Sequence, residues 1–193
     1  MELWSGDAEA HVLLAIALTG EQRDNEAIPE DREALRIFPR HKAALIGLGM
    51  SLTRDRQFKE AVPVLREAIP RTPEMPLLHK HLGVSLFNTG DIEGAVKEYV
   101  TFLQANPNDA EGHYQLGVAF RAQGQKDDAQ AQFREAARLE PSNPTRNWHI
   151  PPLGENELRK RQVSAPTMAR LTGTSIQIGF SDFPINFRRT GRS

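Results

Sequence analysis

The sequence predicts an all-α protein: a right-handed solenoid of four stacked helical hairpins, followed by a mostly irregular C-terminal tail. Two observations predict this fold class. Several residue types recur every 34 positions without insertion or deletion, as Pro39, Pro73, Pro107 and Pro141 do. Within each copy, apolar residues recur with the spacing of a helix face. A fixed period of this length is the sequence signature of a repeat architecture, in which neighbouring units stack to bury their apolar faces.

Three further sets of residues share the period and delimit the copies. The copies run over residues 8–41, 42–75, 76–109 and 110–143. The recurring positions are Ala27, Ala61, Ala95 and Ala129; Leu14, Leu48, Leu82 and Leu116; and Gly49, Gly83 and Gly117, with Ala15 in the first copy.

Each copy is predicted to form two helices, most clearly the third. Leu78, Leu82 and Leu86 recur four residues apart, as one stripe of a helix does. Gly90 then stands where a helix C-cap glycine belongs. Pro107 ends the second helix, because proline has no N–H to continue the hydrogen-bond ladder. The fourth copy repeats this arrangement.

Four residues depart from the repeat pattern. Asp31 occupies a hairpin-core position that holds an apolar or aromatic residue in the other three copies. Pro29 and Pro63 lie inside the predicted second helices of the first two copies, which predicts that these helices start late or kink. Phe102 replaces a small residue, so we expect a local adjustment between neighbouring repeats.

These features resemble the tetratricopeptide repeat, a helical hairpin of 34 residues. In the fourth copy the matching residues are Leu116, Gly117, Gly124, Ala129, Phe133, Ala136 and Pro141. The resemblance covers residues 8–143 and implies a protein-interaction scaffold. It also implies that the first helices of the repeats line a concave groove that holds a segment of a partner protein.

The groove positions implied by the resemblance contain an apolar ladder, aromatic anchors and basic side chains. Our candidate groove residues are Val12, Ile16, Ile46, Met50, Arg54, Leu77, Lys80, Val84, Phe87, Asn88, Tyr114, Val118 and Arg121. Aromatic and Arg side chains often carry interface energy, and Met adapts to varied partners. We therefore expect a protein or peptide partner with apolar anchors and acidic groups. The alternative is that the ladder only packs between adjacent first helices.

No catalytic or metal-binding pattern emerges from the sequence. His11, His79 and His113 share one position of the repeat, but equivalent positions in stacked helices lie about 8–10 Å apart, too far for shared metal ligation. The chain has no Cys, and no glycine-rich phosphate loop is present. We expect a protein that is not an enzyme and that uses no metal and no cofactor.

The tail, residues 144–193, has a different composition from the array. Residues 1–144 carry 16 basic and 22 acidic side chains, whereas residues 145–193 carry eight basic and three acidic ones. Residues 155–163 can form a short helix. In residues 175–188, apolar and polar side chains alternate as they do in a weak β-hairpin. We expect no nucleic-acid binding at the acidic repeats, although the basic tail leaves that exclusion weaker.

Two alternatives to the scaffold function stay open at this point. The array could be the surviving part of a larger enzyme or of a transport or secretion component, or it could self-associate through the C-terminal end that a fifth repeat would cover. With no secretory signal and no apolar run long enough to span a membrane, the expected location is cytoplasmic.

Overall fold

Eight α-helices follow one another in residues 3–141, the part of the chain that the computed structural model describes. Their bounds are α1 Leu3–Gly20, α2 Asp24–Ile37, α3 Lys42–Arg54, α4 Phe58–Ala68, α5 Leu77–Thr89, α6 Ile92–Ala105, α7 Ala110–Ala122 and α8 Lys126–Leu139. A short 3₁₀ helix, Ile69–Arg71, extends α4. All eight helices lie in one compact unit, Met1–Pro151.

The helices pair as four hairpins, so the predicted all-α repeat fold is confirmed. Each first helix packs on its own second helix, and each second helix packs on the first helix of the next repeat. One apolar core runs from Ile28 in α2 to Ala119 in α7. The predicted tail, with its short helix at 155–163 and hairpin at 175–188, lies outside the described residues.

The turn inside each hairpin has the same backbone conformation. The residues with positive φ recur every 34 positions: Gln22 (61°), Arg56 (63°), Gly90 (93°) and Gly124 (79°). In the third repeat the N–H of Asp91 donates to the carbonyl of Leu86 at 2.9 Å, closing the last turn of α5. The predicted C-cap glycine at Gly90 is thus confirmed. The first two repeats adopt the same turn with Gln and Arg, which do so at a steric cost that glycine avoids.

Close contact between the two helices of a hairpin depends on a glycine in the first helix. A Cβ atom at Gly83 would lie 2.8 Å from the ring of Tyr99, and one at Gly117 would lie 2.7 Å from the ring of Phe133. Both rings are almost completely buried. Glycine in the first helix therefore lets a large side chain in the second helix fill the hairpin core.

The first repeat has a different kind of residue at the core position of its second helix. Asp31 is only 1% exposed, and its Oδ2 has no hydrogen-bond partner in the described part of the chain. Its carboxyl group abuts Gly47 of α3, where a Cβ atom would lie 2.6 Å from that oxygen. Burial, with a smaller contribution from the nearby Glu30 carboxylate, raises the pKa of Asp31 to about 7. A buried carboxyl group therefore occupies the core position of the first hairpin.

The two prolines do not delay their helices, so of the two expectations the late start is wrong, and the kink stays a prediction. Pro29 lies inside α2, which begins at Asp24, and Pro63 lies inside α4, which begins at Phe58. Each proline removes one N–H, whose partner would be the carbonyl four residues earlier. That carbonyl belongs to the exposed Asn25 or Lys59, in the solvent-facing first turn where water can solvate it.

The expected adjustment around Phe102 is a smaller residue at the contact position on the next helix. Phe102 is buried in α6, and a Cβ atom at Gly112 of α7 would lie 2.8 Å from its ring. The preceding repeat junction has the opposite distribution, with Ala68 and Leu78 at the equivalent positions. The large residue has thus moved from the first helix to the second, and the total volume at the junction is kept.

Candidate partner-binding site

The candidate groove is formed by the first helices α1, α3, α5 and α7. Successive first helices contact each other directly, in the pairs α1–α3, α3–α5 and α5–α7. Second helices pack mainly against the first helices on either side of them. The first helices therefore share one face of the array, on which the resemblance implies the groove.

Four candidate residues form a ladder along this face, one on each first helix. Ile16 is 58% exposed, whereas Met50, Val84 and Val118 are half-buried. Met50 and Val84 pack against the common core with one side of their side chains. The ladder side chains therefore pack against the core on one side and leave apolar surface accessible to a partner on the other.

Val12 lies in the core and is removed from the groove. It is 1% exposed and forms a small apolar cluster with Ala34 of α2 and Ala44 of α3. The reason is its position on α1, which faces the junction between the first two repeats. A partner in the groove cannot reach this side chain, so the sequence-based assignment of Val12 to the groove is corrected.

The remaining uncharged candidates border the ladder. Ile46 and Phe87 are half-buried against the core, and Leu77 is 40% exposed at the start of α5. Asn88 is exposed, and its side-chain amide donates to the carbonyl of Val84 at 2.8 Å. Tyr114 is half-buried and packs against Phe133, with 5.5 Å between the ring centres.

Two of the three basic candidates form ion pairs inside the array. Arg54 donates to both carboxylate oxygens of Asp24, the shortest contact being 2.7 Å. Lys80 Nζ lies 3.0 Å from Asp109 Oδ1, and also 5.2 Å from the centre of the Phe102 ring. The first pair joins the first two repeats, and the second links α5 to Asp109, the residue that caps the start of α7. Both pairs offset charges that the sequence alone assigned to a partner.

The third basic candidate, Arg121, lies over an aromatic ring. Its guanidinium carbon is 5.6 Å from the centre of the Phe133 ring, within the distance at which a cation interacts with a π system. Arg121 is exposed at the end of α7. It thus retains access to solvent on the last described first helix.

The sequence interpretation missed His81, which lies near the two ion-paired basic residues. Burial lowers the pKa of His81 to about 4, and the positive charges of Arg54 and Lys80 add to that effect. The side chain is therefore neutral at physiological pH. An ordinary histidine is protonated below about pH 6.5, whereas His81 stays neutral down to about pH 4, because of the surroundings that α3 and α5 create together.

The sequence interpretation also missed a recurring pair of hydroxyl groups where adjacent first helices meet. Thr19 Oγ1 lies 3.4 Å from Ser51 Oγ, and Thr53 Oγ1 lies 3.1 Å from Ser85 Oγ. Where α5 meets α7, the same two repeat positions, 32 residues apart, are Phe87 and Ala119. The hydroxyl pairs satisfy each other between helices and so belong to the stacking contact.

The histidines at the shared repeat position tie the two helices of a hairpin together. Each ring Nδ1 contacts an oxygen 19 residues further along: His11 to Glu30 at 2.6 Å, His79 to Glu98 at 2.6 Å and His113 to Gln132 at 2.7 Å. The second repeat has Leu45 and Val64 instead. This matched change of both partners is the sequence signal that could have revealed the contact.

The described residues give no indication of catalytic or metal chemistry at this face. Between residues 3 and 141, no group of three or more His, Asp or Glu side chains is placed to hold a metal ion. Over the same residues, no helix combines the length and the apolar character that crossing a bilayer requires.

Comparison with known proteins identifies the repeat. Residues 25–76 and 81–144 match the family model of the tetratricopeptide repeat. Among solved structures, MamA from Desulfovibrio magneticus RS-1 is similar, with 22% identity, a TM-score of 0.65, and coverage of 72% of this chain and 78% of that one. MamA MSR-1 is 21% identical with a TM-score of 0.65, covering 70% of this chain and 78% of that one. No curated protein matches the sequence. At these identities the structural likeness concerns the fold.

Proposed function

The chain belongs to the tetratricopeptide repeat family, and on that premise we propose that it is a non-catalytic scaffold whose first-helix groove binds an apolar segment of a partner protein. The observation that carries the proposal is the ladder of Ile16, Met50, Val84 and Val118. Three of its members are half-buried and the fourth is exposed, so each first helix offers apolar surface on the inner side. Stacked repeats use such continuous concave surfaces for binding.

The apolar part of the partner has more support than the acidic part. A carboxylate that approaches Arg54 or Lys80 has to compete with Asp24 or Asp109, which already contact these groups. The side chain of Lys80 is also largely shielded, with 20% of its surface exposed. The partner that fits best therefore uses apolar anchors along the ladder, with any acidic group near Arg121.

The experiment compares the intact chain with the groove variant Met50→Glu/Val84→Glu. Both chains are immobilised and used to capture proteins from a lysate, and the retained proteins are identified. Synthetic segments of each retained protein are then titrated against both chains in solution. We expect the groove variant to lose the captured partner, because two carboxylates would be placed in apolar contacts of the complex.

Val100→Glu is the matched control. Val100 is 37% exposed on α6, a second helix outside the groove, so this change adds a carboxylate at a partly exposed valine without touching the ladder. The helical signal in circular dichroism has to be equal for all three chains. Equal capture by the groove variant and the intact chain would contradict the proposal, as would a loss of capture in the control alone.

A further inference from the structure

The outer side of α1 carries an exposed apolar stripe, which we call the outer stripe: Ala10, Leu13, Leu14 and Ala17. These positions follow the i, i+3, i+4, i+7 spacing of one helix face. All four residues are exposed, with Leu13 at 59% and Leu14 at 48%. No charged residue lies in the stripe, so the helix presents to solvent a face typical of a buried contact.

In the other repeats, the residues equivalent to Ala10, Leu14 and Ala17 are covered by the preceding second helix, whereas the equivalents of Leu13 are the half-buried Gly47, His81 and Gln115. The buried equivalents of Ala10, Leu14 and Ala17 are Ala44, Leu48 and Ser51 in α3; Leu78, Leu82 and Ser85 in α5; and Gly112, Leu116 and Ala119 in α7. They lie on the helices that pack against α2, α4 and α6. The outer stripe thus has the composition of a repeat–repeat interface, whereas the end of a solenoid normally needs a polar surface.

The other end of the described array offers no matching surface. Gln130 and Ala137 of α8 stand where α2 has the apolar Ile28 and Leu35. None of the exposed large hydrophobic side chains among the described residues lies on α8, whereas three of the seven, Ile16 among them, lie on α1. Among the described residues, the exposed apolar face therefore lies on α1 and not on α8, whereas the sequence interpretation placed self-association at the C-terminal end of the array.

We propose that the outer stripe is a self-association surface, on which α1 pairs in antiparallel orientation with α1 of a second copy of this chain. The stripe is complementary to itself in the pairing centred between residues 13 and 14. There Leu13 faces Leu14 of the other copy, and Ala10 faces Ala17. The small residues at both ends let the backbones approach, and the antiparallel helix dipoles attract each other. Such an isologous contact closes after two copies.

Chemical matching favours this occupant over a head-to-tail stack of arrays. A stack would set the outer stripe against α8 and place Gln130 in an apolar contact, with its amide lacking partners there. Two copies of the outer stripe meet without burying a polar side chain. Because the stripe spans only about two turns of one helix, it is small beside the roughly 800 Å² that each partner buries in a standard interface. We therefore expect a dimer that depends on concentration.

The test is sedimentation equilibrium of the full chain over a wide concentration range. The expected mass rises from 21.6 kDa towards twice that value. Leu13→Lys keeps the mass at 21.6 kDa, while the control Val100→Lys, on the exposed side of α6, dimerises as the intact chain does. An equimolar mixture of Leu13→Lys and Leu14→Glu regains the dimer, because the antiparallel register sets one new ammonium group opposite one new carboxylate.

Cysteine cross-linking tests the register directly, because the chain has no cysteine of its own. Under oxidation, an Ala10→Cys chain mixed with an Ala17→Cys chain forms a covalent dimer, and either chain alone does not. Dimers that form in Ala10→Cys alone would refute the antiparallel register. A mass of 21.6 kDa at every concentration, or equal assembly of Leu13→Lys and the intact chain, would overturn the proposal. The groove variant Met50→Glu/Val84→Glu still dimerises, so this outcome is independent of partner binding.

Discussion

Asp31 makes the stability of the first repeat depend on pH, and the sign of the dependence is opposite to that of an ordinary ion-paired carboxylate. The side chain is 1% exposed, and its Oδ2 has no hydrogen-bond partner in residues 3–141. Burial, with a smaller contribution from Glu30, raises its pKa to about 7 in the folded chain. In an unfolded chain an aspartate has a pKa of about 3.9. The folded state therefore favours the protonated carboxyl group.

This difference sets the direction and the size of the effect. Below about pH 3 both states hold the proton, and the carboxyl group carries no ionisation penalty. As the pH rises from about 4 to 7, the unfolded chain ionises first, so the free energy of unfolding falls. Above about pH 7 the loss is complete, and the gap between the two pKa values corresponds to about 4 kcal/mol.

Asp31→Leu and Asp31→Asn test this reasoning. Leucine has the same number of side-chain heavy atoms as aspartate, and Leu65 occupies the equivalent position of the second repeat. Hydrogen exchange of the α2 amides, followed by NMR between pH 5 and pH 8, reports the opening free energy of the first repeat. We expect Asp31→Leu to stabilise the repeat by about 3–4 kcal/mol at pH 8 and by less at pH 5. Asp31→Asn removes the pH dependence while keeping a polar group.

The difference between the intact chain and each variant is the quantity to compare, because the contributions of all other carboxylates cancel in it. A difference that stays constant between pH 5 and pH 8 would show that the Asp31 carboxyl group titrates normally. A destabilising effect of Asp31→Leu at pH 8 would refute the claim that the position favours an uncharged side chain.

Two further predictions concern the backbone and the packing of the array. Arg56 has a φ of 63° at the second turn, a left-handed conformation that glycine adopts without steric cost. We expect Arg56→Gly to raise the free energy of unfolding, measured by urea denaturation, by about 0.5–1 kcal/mol. An equal gain with Arg56→Ala would contradict this cause. Phe102→Ala leaves a cavity that costs about 3–5 kcal/mol, and Gly112→Leu alone overpacks the same junction. The double variant recreates the Ala68 and Leu78 pairing of the preceding junction, so we expect it to lose less free energy of unfolding than Phe102→Ala does. Additive losses of the two single changes in a double-mutant cycle would refute the exchange of volume.

Much of the fold could be predicted because its determinants are local and repeated. The spacing of Leu78, Leu82 and Leu86 specifies a helix without reference to the rest of the chain. The recurrence of the same signals every 34 residues implies that neighbouring units stack in the same way. The turn at Gly90 was equally readable, since only the residue type and its position after the helix are needed. The expectation of a late start at Pro29 failed because the carbonyl that loses its partner belongs to the exposed Asn25, where water can solvate it.

The candidate site was less accessible from the sequence. The ladder positions follow from the period, but the burial of Val12 depends on how α1, α2 and α3 meet. The charges of Arg54 and Lys80 were assigned to a partner, although each contacts a carboxylate about one repeat away along the chain. Such pairs depend on the stagger between neighbouring repeats.

The helical hairpins and the turns between them follow from the amino-acid sequence, because they depend on interactions between residues close in the chain and on their exact repetition. What each repeated position contacts was set by the tertiary structure. It buried the carboxyl group of Asp31, joined Lys80 to Asp109 and left Leu13 exposed. The physical reason is that burial and ion pairing depend on neighbours from adjacent repeats, and the first repeat has no preceding second helix among the described residues.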